Sequence, residues 1–460
     1  MEDTVHIVGA GPTGMSIAWE LLTQADKKVI LYEKKSSAGG SWWEPSLKRR
    51  DIHAPRILFR DAFVNTENIL QEMGVKWDNL FTLTGDSEQI RGRINPSLLL
   101  LYLKVVMFPE NYKKVSVKDV AKSFGPETKE IIKAITLMTD GVSWDVMTAY
   151  EFIKSFDNVA FSDQYTQKVS GKVMCDAMQN ALKAKGAEFR FNTSLEDIEY
   201  GKDTYRATLS DGKIIDSGDM IICIESSSAS TLLKENWGPS ANKLVKFPTY
   251  TSINVIYEYD RPVEIPDTMT NIMNTKWNII TSKLEPNVLS CTVLIIPFSE
   301  NKERMGEIMG SSPQKLMKEV IEQLGIEKPQ KSRLCWGSYW DGESWDFKVG
   351  SAALSKYGSL PFYGKCSRVA MCGMMSGRST PYASIEAAVE IGRKFCSEKY
   401  NTRYPLEARS VSGKIVTLGV IIIFYKIIYS ILNKETKLSA VYKNIIAIGL
   451  SLLLIAVIRI

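Results

Sequence analysis

The stretch that most constrains this chain is TVHIVGAGPTGMSIAWELL, residues 4–22. Val5, Ile7 and Val8 read as a short buried strand, and Gly9, Gly11 and Gly14 follow it in G-x-G-x-x-G spacing. In that spacing the first glycine makes a tight turn. The second lets backbone approach a pyrophosphate, and the third lets helix pack closely on strand. The helix starts near Pro12 and carries Met15, Ala18, Leu21 and Leu22 on its inward face. Its N-terminus offers free N–H groups and a positive dipole end to an anion. A second strand, KKVILYE, ends at Glu33, where a carboxylate takes ribose hydroxyls. Strand, turn, helix, strand and acid in that order predict an α/β, Rossmann-like dinucleotide fold. An acid at position 33 disfavours a 2′-phosphate and so NADP. The pattern alone leaves NAD and FAD open.

A chain of 460 residues has room for two or three globular units. Lys+Arg 57 against Asp+Glu 52 leaves a mild excess of +5. The main body has no long basic run interleaved with aromatics, so nucleic acid is not an expected partner. The seven cysteines include no C-x-x-C pair, and there are two histidines, so neither a metal site nor a disulfide framework is expected. The N-terminus runs straight into a core strand and does not read as a signal peptide.

The C-terminal segment differs in composition. IVTLGVIIIFYKIIYSIL (415–432) is apolar except for Lys426, and NIIAIGLSLLLIAVI (444–458) is nearly so. Each approaches the roughly 20 apolar residues that a membrane span needs. Lys426 would be costly at mid-bilayer. Arg403, Arg409 and Lys414 precede the first run, and Lys434, Lys437 and Lys443 join the two, so charge selects no orientation. Residues 401–460 are therefore expected to form a membrane anchor, either a hairpin in one leaflet or two short spans, with the soluble body facing the cytosol.

Between these ends the pattern switches repeatedly. Residues 1–60 hold the first nucleotide-binding unit and 61–165 read mainly helical. Residues 166–230 return to a helix followed by short strands, 231–334 mix strands with a helix, and 335–400 contain the strand SRVAMCG and the helix SIEAAVEIGRKF. That interleaving fits a three-layer FAD-binding domain with an inserted α+β substrate domain.

Several motifs carry a resemblance. Gly39-Gly40 follow soon after Glu33. RRDIHAPRILF (49–59) fits a loose D-x-G-x-H pattern through Asp51 and His53, with Pro55 and Arg56 following. IEAAVEIG (385–392) lies close to M-E-G-A-V-E-A-G. Together they resemble the flavin amine oxidase and phytoene desaturase superfamily over about residues 4–60, 165–225 and 335–395. The resemblance implies FAD rather than NAD. It implies that Gly39 and Gly40 let backbone pass the phosphates, and that the backbone of Leu195 meets the adenine end. It further implies that Gly373, Glu386 and the helix after Ser384 lie at the flavin end, and that Arg56 binds the phosphates or a substrate anion. The chain departs from the pattern at Met374, Ser41 and Ser384, where the family usually has an acid, an arginine and an aromatic.

On that resemblance the expected activity is an FAD-dependent oxidation. A hydride leaves an organic substrate, such as an amine, and oxygen or a quinone reoxidises the cofactor. His53 is the candidate acid, base or oxyanion donor. Trp340, with Tyr339, and Tyr382 are candidate pocket walls. Lys276 and Lys283 are lysines that no motif singles out. A desaturase or isomerase acting on a lipid or isoprenoid is the second reading, and a non-catalytic carrier of lipidated proteins the third.

Overall fold

The structure, a computed structural model, describes residues 4–47, 50–54, 56–85, 90, 92–238, 249–295, 302–347, 351–352, 358–408 and 411–459. Pro55 lies outside the described residues.

A five-stranded parallel sheet organises the nucleotide-binding part. Its order is β18 (Val369–Met371), β10 (Asp219–Ile222), β1 (Thr4–Val8), β2 (Lys28–Glu33), β6 (Glu188–Phe191). A parallel sheet is covered on both faces, so its central strands are largely apolar. Val5, Ile7, Val29, Leu31, Ile221 and Ile222 are accordingly buried. One face carries α1 (Pro12–Gln24), α6 (Gly171–Ala184) and α9 (Ile385–Tyr400). The other carries the antiparallel meander β7 (Leu195–Tyr200), β8 (Tyr205–Leu209), β9 (Ile214–Ile215) and the helix α7 (Ser226–Trp237).

Helices α1 and α9 cross tightly at Gly392, where a Cβ would overlap Ser16 Oγ. The same interface buries Glu20 and Arg393 completely, with 3.0 Å between Oε1 and Nε, and Arg403 adds a second guanidinium at 2.8 Å. A charge that has left water needs such a partner.

The inserted part has two pieces. One is an antiparallel sheet of β12 (Ile280–Glu285), β13 (Val288–Ile295), β11 (Thr249–Glu258) and β14 (Lys331–Leu334), with β17 (Ser351–Ala352) also pairing with β11. It packs on α8 (Pro313–Leu324) through Leu316 and Val320, beside the hairpin β15 (Ser338–Trp340) and β16 (Trp345–Phe347). The other piece is helical: α2 (Val64–Glu72), α3 (Pro96–Met107), α4 (Pro126–Asp140) and α5 (Ala149–Phe161). It includes the short sheet of β3 (Leu58–Phe59), β5 (Gln164–Gln167) and β4 (Phe81–Gly85).

At the C-terminus α10 (Val411–Glu435) and α11 (Ala440–Arg459) form a hairpin. Tyr425 donates to Asn444 Oδ1 at 2.6 Å and Lys443 donates to Asn433 Oδ1 at 3.1 Å. Helix α10 touches α5, and α11 touches α3. Among the described residues no helix is long and apolar enough to cross a membrane, so the spanning form of the tail expected from the sequence is not seen.

Candidate cofactor and substrate site

The carboxyl ends of the parallel strands open into a cleft of about 420 Å³. Strand β1 delivers the chain to Gly9, whose φ of +105° is reserved for glycine. A Cβ there would run into the Cys223 carbonyl. Gly11 and Gly40 face each other backbone to backbone, so that a Cβ on Gly40 would come within 2.9 Å of Gly11 Cα. The N-terminus of α1 begins at Gly11 with no side-chain cap. Its N–H groups and positive dipole end are thus available to a pyrophosphate. Gly14 and Gly39 act through backbone packing and do not line the cleft. A Cβ on Gly14 would overlap the Gly9 carbonyl, and Gly39 N–H donates to the Ala10 carbonyl at 2.9 Å.

Glu33 lies in the cleft at the end of β2 and is held from behind. One oxygen accepts the Ala10 N–H and the other the Lys35 N–H, both at 3.0 Å. Each carboxylate oxygen keeps a further lone pair for a ribose hydroxyl. Leu195 lines this end. Gly373, Met374 and the stretch Ala383–Ile385 line the cleft as well, with Ser384 capping α9 through the Ala387 N–H at 3.2 Å. The donor set and the glycine cradle fit an FAD. Met374, at the position where the family usually has an acid, adds no carboxylate there.

A buried polar cluster forms one wall. Glu44 is fully buried and accepts from Arg56 Nη1 (2.7 Å), Gln167 Nε2 (2.7 Å), Ser170 Oγ (2.9 Å) and the Asp51 N–H (3.0 Å). Burial alone would raise its carboxyl, but Arg56 and these donors outweigh burial and hold it below its ordinary value. Arg56 lies 4.4 Å over the Trp42 ring, donates to the Ser41 carbonyl at 3.0 Å and approaches His53 Nδ1 at 3.5 Å. Ser41 thus contributes its carbonyl to this wall, and Arg56 supplies a positive charge.

His53 faces the cleft, with Trp336 beside it at 5.8 Å and Gly337 packed on its Cβ. Burial lowers its pKa to about 3, helped by the positive charges of Arg56 and Lys35. With Nδ1 facing the Arg56 N–H, the neutral ring carries its proton on Nε2 and can donate it. Of the three sequence expectations for His53, the donor role is the one this environment favours. His53→Gln is expected to lower the rate of cofactor reduction roughly tenfold to a thousandfold. Neither protein should show a His53 inflection near pH 6.5 in stopped-flow traces, because the folded ring titrates at about 3. The same depression links stability to pH. The unfolded ring titrates at 6.5 and the folded one at about 3. Stability is thus fully present above pH 6.5 and falls on acidification by up to about 1.4 kcal/mol per pH unit. Urea unfolding at pH 7 and pH 5 should show a shallower slope in His53→Gln than in the parent, the remainder coming from His6, which burial lowers to about 4.

Two sequence expectations need correction. Trp340 does not reach the cleft. It packs on Trp345 at 5.4 Å within the β15–β16 hairpin, against the core of the antiparallel sheet, and Tyr339 is exposed. Trp336, in the turn between β14 and β15, is instead the aromatic that approaches the site, beside His53 and 5.2 Å from Trp43. Glu386 is also turned away from the cleft. Its oxygens accept the N–H groups of Asn65 and Thr66 (2.9 and 2.8 Å) and both of those side chains (2.8 Å each), closing the N-terminus of α2, which has no side-chain cap of its own. Lys276 and Lys283 pair with Glu307 and Glu264 at the surface.

Tyr382 stacks on Phe63 (6.0 Å between centroids) and accepts from Asn158 Nδ2 at 3.3 Å. It lines a second, smaller chamber of about 80 Å³ with Phe59, Leu137, Gln164 and Ile280. This chamber adjoins the cleft through Ile57, Ala383 and Ser384, which line both. The residues that sequence reasoning missed are Glu44, Gln167, Trp42 and Trp336. The run GGSWWE contains two of them directly after the glycine pair, and an acid embedded among aromatics was the available signal.

Residues 7–62 match an NAD(P)-binding Rossmann-like domain, and residues 150–397, more than half the chain, match the flavin containing amine oxidoreductase family. The chain belongs to that family. It is an FAD-dependent oxidoreductase. An oxidoreductase from Methanosarcina mazei shares the fold at 13% identity and a TM-score of 0.60, over 86% of this chain and 100% of that one. Putrescine oxidase bound to putrescine gives the same 13% and 0.60, over 86% and 99%. At that identity the likeness concerns the fold alone. Among curated proteins, a thiamine thiazole synthase of Thermococcus kodakarensis is 26% identical over 144 residues, 31% of this chain and 52% of the relative. The chain thus spans about half the length of that relative.

Proposed function

We propose that this flavoenzyme removes a hydride from an uncharged or charge-neutralised organic substrate seated in the Tyr382 chamber. The observation that carries the proposal is the junction of that chamber with the cofactor cleft at Ile57, Ala383 and Ser384, at the N-terminal end of α9. Bound FAD supplies the hydride acceptor. The chain's own residues do the rest. Phe59, Leu137 and Ile280 exclude water, Gln164 and the Tyr382 hydroxyl orient a polar group, and His53 offers a hydrogen bond from its Nε2–H. The α9 N-terminus would stabilise negative charge growing beside it.

Among the described residues, none that lines the chamber carries a formal charge. An amine would therefore bind as its free base, because burying an unpaired cation is costly. The same lining favours the second reading, oxidation or isomerisation of a lipid or isoprenoid. The C-terminal hairpin supports that reading, since Ile423, Ile427, Val441 and Ile445 are exposed on it. We take the hairpin as a membrane anchor, with the body on the cytosolic side. Oxygen or a quinone is the proposed oxidant.

The test is anaerobic bleaching of the flavin bands by matched pairs, octylamine against octan-1-ol and octanal, across pH 6–10. Bleaching by the amine that rises with pH supports the amine reading. Bleaching confined to lipid-like neutral substrates supports the second. A flavoprotein that no amine or lipid bleaches would contradict both.

A further inference from the structure

We propose that helix α3, in the body of the protein, is a second lipid-contacting element, so that the bilayer meets the body as well as the tail; this rests on the membrane reading of the C-terminal hairpin. Helix α3 buries Leu98, Leu101, Tyr102 and Val105 against the core. Its opposite side is also apolar. Leu99 and Leu100 are 49% and 51% exposed, and Leu103, Val106 and Met107 are only partly covered. Positions 99, 103 and 106 or 107 recur at spacings of three and four and so form one stripe. A helix with a water-facing side carries polar residues there. The α3 stripe has one charge beside it, Lys104.

The stripe continues into the tail. Helix α11 touches α3, and the hairpin exposes Ile423 and Ile427 on α10 and Val441 and Ile445 on α11. Together these side chains exceed the scattered apolar residues that a water-facing surface carries. Charge identifies what covers them. From Arg409 to the C-terminus the chain carries seven lysines and arginines and one carboxylate, Glu435. Lys434 and Lys437 are exposed at the hairpin turn. Anionic lipid headgroups over acyl chains match a basic rim around an apolar face. A second copy of this chain would bring the same positive charges against them. Lys426 lies exposed midway along α10, which fits a hairpin lying within one leaflet, where an ammonium can reach the headgroups.

The experiment uses the full chain carrying Leu100→Cys, labelled with the environment-sensitive dye NBD and mixed with phosphatidylcholine–phosphatidylserine vesicles. Ile427→Cys serves as the tail reporter, and the identically treated parent corrects for its own cysteines. The expected result is a blue shift at both positions and quenching of both by acyl-brominated lipid. The double variant Leu99→Glu/Leu100→Glu should weaken vesicle binding by roughly tenfold or more, the transfer of two leucines being lost. A shift at 427 with none at 100 would overturn the proposal and leave the tail anchor standing. No shift at either position would overturn both. A shift at 100 that appears without vesicles and grows with protein concentration would assign the stripe to a second copy and also overturn it.

Discussion

Gly9→Val is expected to yield a folded but colourless protein, with flavin occupancy below roughly a tenth of the parent's. Valine at φ +105° is strained, since a β-branched residue at positive φ costs about 1–3 kcal/mol. The larger effect is steric. The new Cβ overlaps the Cys223 carbonyl, and Cys223 follows the β10 end of the sheet and lines the cleft. Relief requires β1 and the β10 loop to separate, and this moves the α1 N-terminus away from the pyrophosphate. Gly74→Ala provides the control. Gly74 also has positive φ, +77°, but a Cβ there meets nothing within 4 Å. It should cost about 1–2 kcal/mol, the strain of a left-handed backbone alone, and keep its flavin. Flavin absorbance per chain, with far-ultraviolet circular dichroism as the measure of folding, checks both. A yellow Gly9→Val protein would show that the turn does not hold the cofactor.

The second large effect is expected at Glu44. Glu44→Ala strands a buried guanidinium, Arg56, and leaves Gln167, Ser170 and the Asp51 N–H without their acceptor. Removing one partner of a buried ion pair costs about 3–5 kcal/mol. Glu44→Gln should cost less, because an amide oxygen still accepts two of these bonds. The double variant Glu44→Gln/Arg56→Met should cost less than the sum of its single changes, since each removes the other's penalty. Urea unfolding of the four proteins measures this. A loss below about 1 kcal/mol in Glu44→Ala would mean that water reaches Arg56 and that the wall is open to solvent.

The nucleotide-binding fold was legible because its signals are local. A strand, a glycine turn, a helix and an acid each declare themselves within a few residues, and Gly9, Gly11 and Glu33 all line the cleft. The late strand that completes the sheet, β18, was also readable as an apolar run before a helix. The wall of the site was not readable, because its members come together only in the folded chain. Glu44 meets Gln167 and Ser170 across more than a hundred residues. Glu386 shows the converse limit. Its motif placed it on the right helix, but motif matching says nothing of which way a side chain turns, and the open N-terminus of α2 claims it. Trp340 failed for a similar reason: strand alternation directs it to the core of the antiparallel sheet.

The most direct test of the central claim is the absorption spectrum of the purified full-length protein, followed by acid precipitation and mass analysis of whatever nucleotide is bound. The account predicts flavin bands and FAD at one per chain. A colourless protein despite FAD in the expression culture, or one carrying NAD in its place, would contradict it.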